Sequence, residues 1–134
     1  MNEVYKKAVD FLVRREYSAY ELQQKLILAG FDELDIENVL NQLINEGLQS
    51  DKRFAEMFVR TRVNQGKGPL LIKQQLKQKG INEFDFSDYD FYELIRNVWQ
   101  KKYNNQPTNA KEKAQQIRFL QSRGFNFDEI NTLF

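Results

Sequence analysis

The sequence predicts an all-α fold built from tandem copies of one three-helix unit. Three observations carry this: a pattern that recurs three times, apolar residues spaced by three and four, and no alternation of the kind a half-buried strand requires. The recurring pattern is Glu21-Leu22-Gln23-Gln24-Lys25-Leu26 leading to Leu28-Ala29-Gly30-Phe31. It returns as Leu71-Ile72-Lys73-Gln74-Gln75-Leu76 leading to Gln78-Lys79-Gly80-Ile81, and as Gln115-Gln116-Ile117-Arg118-Phe119-Leu120 leading to Ser122-Arg123-Gly124-Phe125. In each copy a leucine lies four residues before a glycine, and an apolar residue follows that glycine.

The elements follow in order. Val4, Ala8, Phe11 and Leu12 describe an amphipathic helix ending near Arg15. Ser18-Ala19-Tyr20-Glu21 has the form of a capping box, in which serine and glutamate each satisfy a free backbone donor, so a second helix begins there. It closes at Gly30. Gly30, Gly80 and Gly124 are the expected structural caps, since glycine enters the left-handed conformation a helix C-terminus favours and lets the next apolar residue fold back. Ile36, Val39, Leu40 and Leu43 give a third helix.

Ser50-Asp51 opens the next, carrying Phe54, Ala55, Phe58 and Val59 inward. Gly66-Lys67-Gly68-Pro69 breaks it, and Pro69 suits the first turn of the helix that follows. Phe91, Leu94, Ile95 and Val98 mark another, with Trp99 read as core. The polar stretch 103–109, holding one of only two prolines, reads as a connecting loop. Ile130, Leu133 and Phe134 complete the last pattern. The expected boundaries are residues 1–49, 50–103 and 104–134, the third copy being partial. One such unit cannot bury its own Phe and Tyr residues, so neighbours should stack.

Composition narrows the function. The chain of 134 residues has no cysteine and no histidine, which removes thiol chemistry, the usual zinc sites and the commonest general base. No nucleophile and base stand out as a pair and no phosphate-cradling glycine loop is present, so no catalytic residue, metal site or cofactor is expected. Carboxylates cluster at residues 32–37 and 83–90. Each cluster follows a glycine and opens a helix-like stretch, where negative charge suits the positive end of the dipole. No apolar run reaches the roughly 20 residues of a membrane span and the N-terminus lacks a secretory apolar region, so a cytoplasmic location is expected.

The net charge of +1 conceals an asymmetry. Residues 51–80 carry eight basic side chains against two acids, a net +6, whereas residues 1–50 stand at −4 and residues 81–134 at −1. The middle third is the expected surface for an anionic partner. Its candidates are Arg53, Arg60, Arg62, Lys67, Lys73, Lys77 and Lys79, with Arg118 and Arg123 extending the surface into the third unit. Tyr17, Tyr20 and Tyr103, at helical spacing, read as half-buried core rather than as base-stacking platforms.

Three stretches in this order resemble the RecX family. They are Arg14-Arg15-Glu16-Tyr17-Ser18 with Glu21-Leu22 and Lys25-Leu26; the run Asp51-Lys52-Arg53-Phe54-Ala55-Glu56-Met57-Phe58-Val59-Arg60-Thr61-Arg62; and Gly66-Lys67-Gly68-Pro69 with Ile72, Leu76 and Lys79-Gly80-Ile81. The segment Phe119-Leu120-Gln121-Ser122-Arg123-Gly124-Phe125 is similar to that family's C-terminal unit. Lys67 stands where an aromatic is usual and Leu71 where a base is usual, and the run 85–91 of acids and aromatics is outside the family pattern.

The resemblance implies three tandem three-helix repeats in an elongated, curved array. It also implies a regulator that mainly inhibits the RecA recombinase, by lodging on RecA filaments formed on single-stranded DNA, and so limits recombination and SOS functions; nothing in the sequence suggests closed symmetry, so a monomer is expected. Single-stranded DNA itself is a further expected partner. The alternative is a stand-alone helical nucleic-acid-binding module with no RecA partner.

Overall fold

A computed structural model describes residues 2–134. Among them there is no strand, and eight helices run in order: α1 (Asn2–Arg14), α2 (Ala19–Leu28), α3 (Glu33–Asn45), α4 (Asp51–Asn64), α5 (Pro69–Gln78), α6 (Phe91–Lys102), α7 (Ala110–Ser122) and α8 (Phe127–Asn131). The all-α class holds.

Local chemistry sets most helix ends. At α2 the Glu21 backbone N–H donates to Ser18 Oγ at 3.1 Å and the Ser18 N–H donates to Glu21 Oε1 at 3.2 Å, the full capping box. Asn126 and Glu129 repeat it at α8. Gly30, Gly80 and Gly124 sit at φ of 92°, 79° and 96°. After each, the next N–H reaches back to a leucine carbonyl, Phe31 to Leu26, Ile81 to Leu76 and Phe125 to Leu120. Satisfying those terminal carbonyls is what ends the helices there.

The chain divides into two compact units, residues 1–58 with 76–82, and residues 59–75 with 83–134. In the first, Val4 and Ala8 of α1, Leu22 and Leu26 of α2, and Ile36, Val39 and Leu43 of α3 form a closed apolar cluster with Tyr17. The apolar stripes predicted at three-and-four spacing are the faces that meet. Tyr17 is core, as read from sequence, whereas Tyr20 stands 48% exposed.

In the second unit Val59, Ile72, Phe91, Ile95, Leu120, Phe125, Ile130 and Leu133 are buried. Trp99 is only half-buried, and its indole N–H donates to Gln116 Oε1 at 2.8 Å. This indole needs a polar partner because part of it leaves solvent. The second acidic cluster does not open a helix directly. Residues 81–90 are irregular, Asp85 Oδ1 accepts from the Ser87 N–H within a turn, and only Asp90 caps α6, accepting from Tyr92 and Glu93 N–H. Phe84, Phe86, Tyr89 and Phe91 contact one another edge-on or tilted, holding this segment together where backbone bonding is sparse.

The N-terminus of α5 docks on the C-terminus of α7. Gly68 N–H donates to the Arg123 carbonyl at 2.7 Å and Leu70 N–H to the Gly124 carbonyl at 2.9 Å. Free donors at one helix start thus satisfy free acceptors at another helix end. Neither glycine tolerates a Cβ: one added at Gly68 would lie 2.4 Å from the Gly124 carbonyl carbon, and one at Gly124 would lie 2.3 Å from Leu71 Cβ.

Candidate nucleic-acid interface

The predicted cations divide by what their side chains already hold. In the first unit, the Arg53 guanidinium bonds to the Glu16 carboxylate through Nε and to the Gly47 and Leu48 carbonyls at 3.2 and 3.1 Å. It ties down the turn that follows α3. Lys79 Nζ meets Glu21 Oε2 at 2.9 Å, and Arg15 meets Oε1 of the same carboxylate at 3.3 Å. Burial pushes the Glu21 carboxyl up, but hydrogen bonds from Lys79, Arg15 and the Ser18 backbone outweigh it and hold the group below the usual glutamate value. Lys77 is exposed, with no side-chain partner among the described residues.

In the second unit, Arg62 Nε donates to Gln75 Oε1 at 2.9 Å, tying α4 to α5, and a second nitrogen reaches Gln65 Oε1 at 3.3 Å. Arg60, Lys73 and Arg118 are exposed, without a side-chain hydrogen bond or ion pair to another described residue. Lys67 and Arg123 are half-buried. The Arg123 guanidinium lies 5.3 Å from the centre of the Phe119 ring.

Arg123 is the one predicted cation that lines an open cleft of about 510 Å³ in this unit. Its other walls come from the end of α4 (Val63, Asn64, then Gln65 and Gly66) and from one face of α6, Leu94, Asn97, Val98, Lys101 and Lys102. Lys101 and Lys102 were not among the predicted residues. Their helical spacing from Val98, three and four residues, and from Leu94, seven and eight, is the signal that places them on this face. Lys102 Nζ stands 4.7 Å from the centre of the Phe119 ring, so this cation shares its aromatic with the like-charged Arg123. Cation–π contact fixes a cation without neutralising it. Among the described residues no group of His, Cys, Asp or Glu is placed to hold a metal ion. No described helix is long and apolar enough to cross a membrane.

Three family models match the chain. RecX's first three-helix domain matches residues 5–43, its second 50–86 and its third 88–134, so α6 falls within the third matched span. The regulatory protein RecX of Ectopseudomonas mendocina is 39% identical over 97% of this chain and 91% of its own length. That of Vibrio campbellii is 40% identical over 92% of this chain and 84% of its own. Among solved structures, RecX from Lactobacillus salivarius superposes with a TM-score of 0.85 at 27% identity, covering 98% of this chain and 92% of that one. A further crystal structure of regulatory protein RecX gives 0.85 at 25% identity over 98% of this chain and 71% of that one. Three helical domains matched in order, at about two-fifths identity along nearly the whole chain, make this protein a member of the RecX family of regulatory proteins.

Proposed function

We propose that the chain modulates RecA, mainly as an inhibitor, by binding RecA filaments on single-stranded DNA and limiting recombination and SOS functions. It acts by binding, as a cytoplasmic monomer, with no cofactor. Family membership along the whole chain is the observation that carries this reading, because regulators so named share all three helical domains with it. The cation distribution supports it: the net +6 of residues 51–80 suits a partner with an anionic backbone.

Arg60, Lys73, Lys77 and Arg118 are the predicted cations whose side chains are exposed and uncommitted, and they are the first contacts proposed for the filament. Lys67, Arg62 and Arg123 are further candidates, and Arg53 and Lys79 serve first as internal ties.

Co-sedimentation with RecA filaments on single-stranded DNA tests the reading, with naked DNA as the reference. Enrichment on the filament over DNA alone, and faster loss of filament when the chain is added, is the expected result. Converting Arg60, Lys73, Lys77 and Arg118 to alanine should weaken both while leaving helicity intact. Equal binding to naked DNA and to filament would overturn it and leave a stand-alone nucleic-acid-binding module.

A further inference from the structure

The groove of the second unit has a composition that the filament reading does not account for. Lys101, Lys102 and Arg123 line it and no carboxylate does. Among the described residues none of the three side chains has a hydrogen bond or an ion pair; Lys102 and Arg123 lie against aromatic rings, and Lys101 has no such contact. A plain explanation is that they answer the helix dipoles, because α4, α6 and α7 all end here. Two facts limit it. Each helix end carries roughly half a negative charge, so three ends fall well short of three full cations. Most terminal carbonyls of α4 and α7 are also already occupied, by Gln65, Gly66 and Lys67 N–H at α4 and by Arg123, Gly124 and Phe125 N–H at α7, and at α6 Tyr103 N–H takes the Trp99 carbonyl. Positive charge is left over and faces the groove.

The rest of the lining narrows the ligand. Val63, Leu94, Val98 and Phe119 are half-buried and give an apolar wall, while Asn64, Gln65 and Asn97 bring amide donors and acceptors to its edge. Inorganic phosphate or an acidic peptide would use the cations and leave the wall and the amides idle. A nucleotide uses all three: phosphate on the ammonium and guanidinium groups, a flat base on the apolar wall, and base edges on the amides. A cleft of about 510 Å³ accommodates a unit of that size.

We propose that this groove seats a nucleotide unit of a single nucleic-acid strand, with Lys101, Lys102 and Arg123 holding its phosphate. The inference rests on the filament reading only for the polymer's being a strand; it concerns direct contact with that strand and needs no RecA.

The test is fluorescence anisotropy of a labelled ten-nucleotide thymidine strand with the full chain and no RecA. Lys101→Ala/Lys102→Ala is compared with Lys111→Ala/Lys113→Ala, which removes the same charge from the start of α7 in the same unit. The groove variant should weaken binding and reduce the log–log salt slope by about 1.4, roughly 0.7 for each lost phosphate contact. The control should leave the slope near that of the parent. Circular dichroism and Trp99 fluorescence report that both are folded.

Amide shift mapping then compares the strand with thymidine monophosphate, inorganic phosphate and hexaglutamate. Strand-induced shifts at residues 63–66 and 97–103 are the expected result. Equal losses from both double variants, or strand shifts that fall elsewhere, would overturn the proposal. So would hexaglutamate or free nucleotide binding the groove as tightly as the strand, since the occupant would then be an acidic segment or a mononucleotide. Strand binding in the groove by a chain that shows no preference for RecA filaments would sink the filament reading and leave this one standing.

Discussion

Replacing Gly124 by alanine should destabilise the protein far more than replacing Gly30, although both end a helix in the same way. The two residues have nearly the same backbone, φ of 96° and 92°. A Cβ in that left-handed region costs about 1–2 kcal/mol, and at Gly30 nothing else lies within 4 Å, so about 1 kcal/mol is the whole effect there. At Gly124 the new methyl would lie 2.3 Å from Leu71 Cβ and 2.8 Å from Leu71 N. Both are backbone-proximal atoms that cannot rotate away, so the start of α5 must retreat. Retreat stretches the bonds from Gly68 N–H to the Arg123 carbonyl and from Leu70 N–H to the Gly124 carbonyl, now 2.7 and 2.9 Å. At about 1 kcal/mol each, their loss brings the total to about 3 kcal/mol, or roughly 10 °C in Tm for a chain of this length. Urea unfolding followed by circular dichroism measures both variants, and Trp99, in the same unit as Gly124, gives a second probe. Equal midpoint shifts for the two substitutions would refute the docking of α5 on α7 as an energetic contact.

Arg53→Ala should lower Tm, because the guanidinium holds the turn after α3 and Glu16, while leaving strand affinity unchanged; a loss of strand binding at unaltered stability would reverse that assignment. Gln116→Ala should cost about 1–3 kcal/mol by leaving the Trp99 N–H without its acceptor and should shift the emission of the only tryptophan, both read in one urea titration. Glu129 is 4% exposed, and burial, offset in part by the Asn126 N–H, raises its carboxyl pKa above the ordinary value. A carboxyl raised in the folded state binds protons more tightly there than in the unfolded chain, so its contribution is complete below the unfolded pKa and is lost as pH rises through the folded one. Glu129→Gln keeps an acceptor for Asn126 and removes the titration, so the Tm of the variant relative to the parent should fall as pH drops from 7 toward 4.5; a constant difference would count against it.

What the sequence reveals is what is decided within a few residues. The capping box needs only Ser18 and Glu21, and the glycine caps need only a leucine with a glycine four and an apolar residue five positions on, so both can be read from one segment. The apolar stripes are equally local, and they suffice to place Leu22, Leu26, Ile36, Val39 and Leu43 in one core. The Gly68–Gly124 approach is of another kind. Gly68 looks like part of a helix-breaking run, and the carbonyls that demand its lack of a side chain belong to residues more than fifty positions away. No local pattern encodes a partner at that distance.

The candidate site shows the same division. Counting charge by thirds of the chain finds the +6 of residues 51–80 but averages Lys101 and Lys102 into a region of net −1. Acids such as Asp85, Asp88 and Glu83 cancel them in the count without lining their groove. Conversely Arg53 and Lys79 raise the count for the middle third although their charges are spent on Glu16 and Glu21. A charge counts toward a partner only when nothing inside the fold already claims it. By that measure the uncommitted positive side chains of the second unit are Arg60, Lys73 and Arg118 together with Lys101 and Lys102. A linear count cannot separate these from their internally bonded neighbours, because the distinction lies in where each carboxylate and carbonyl sits once the helices have packed.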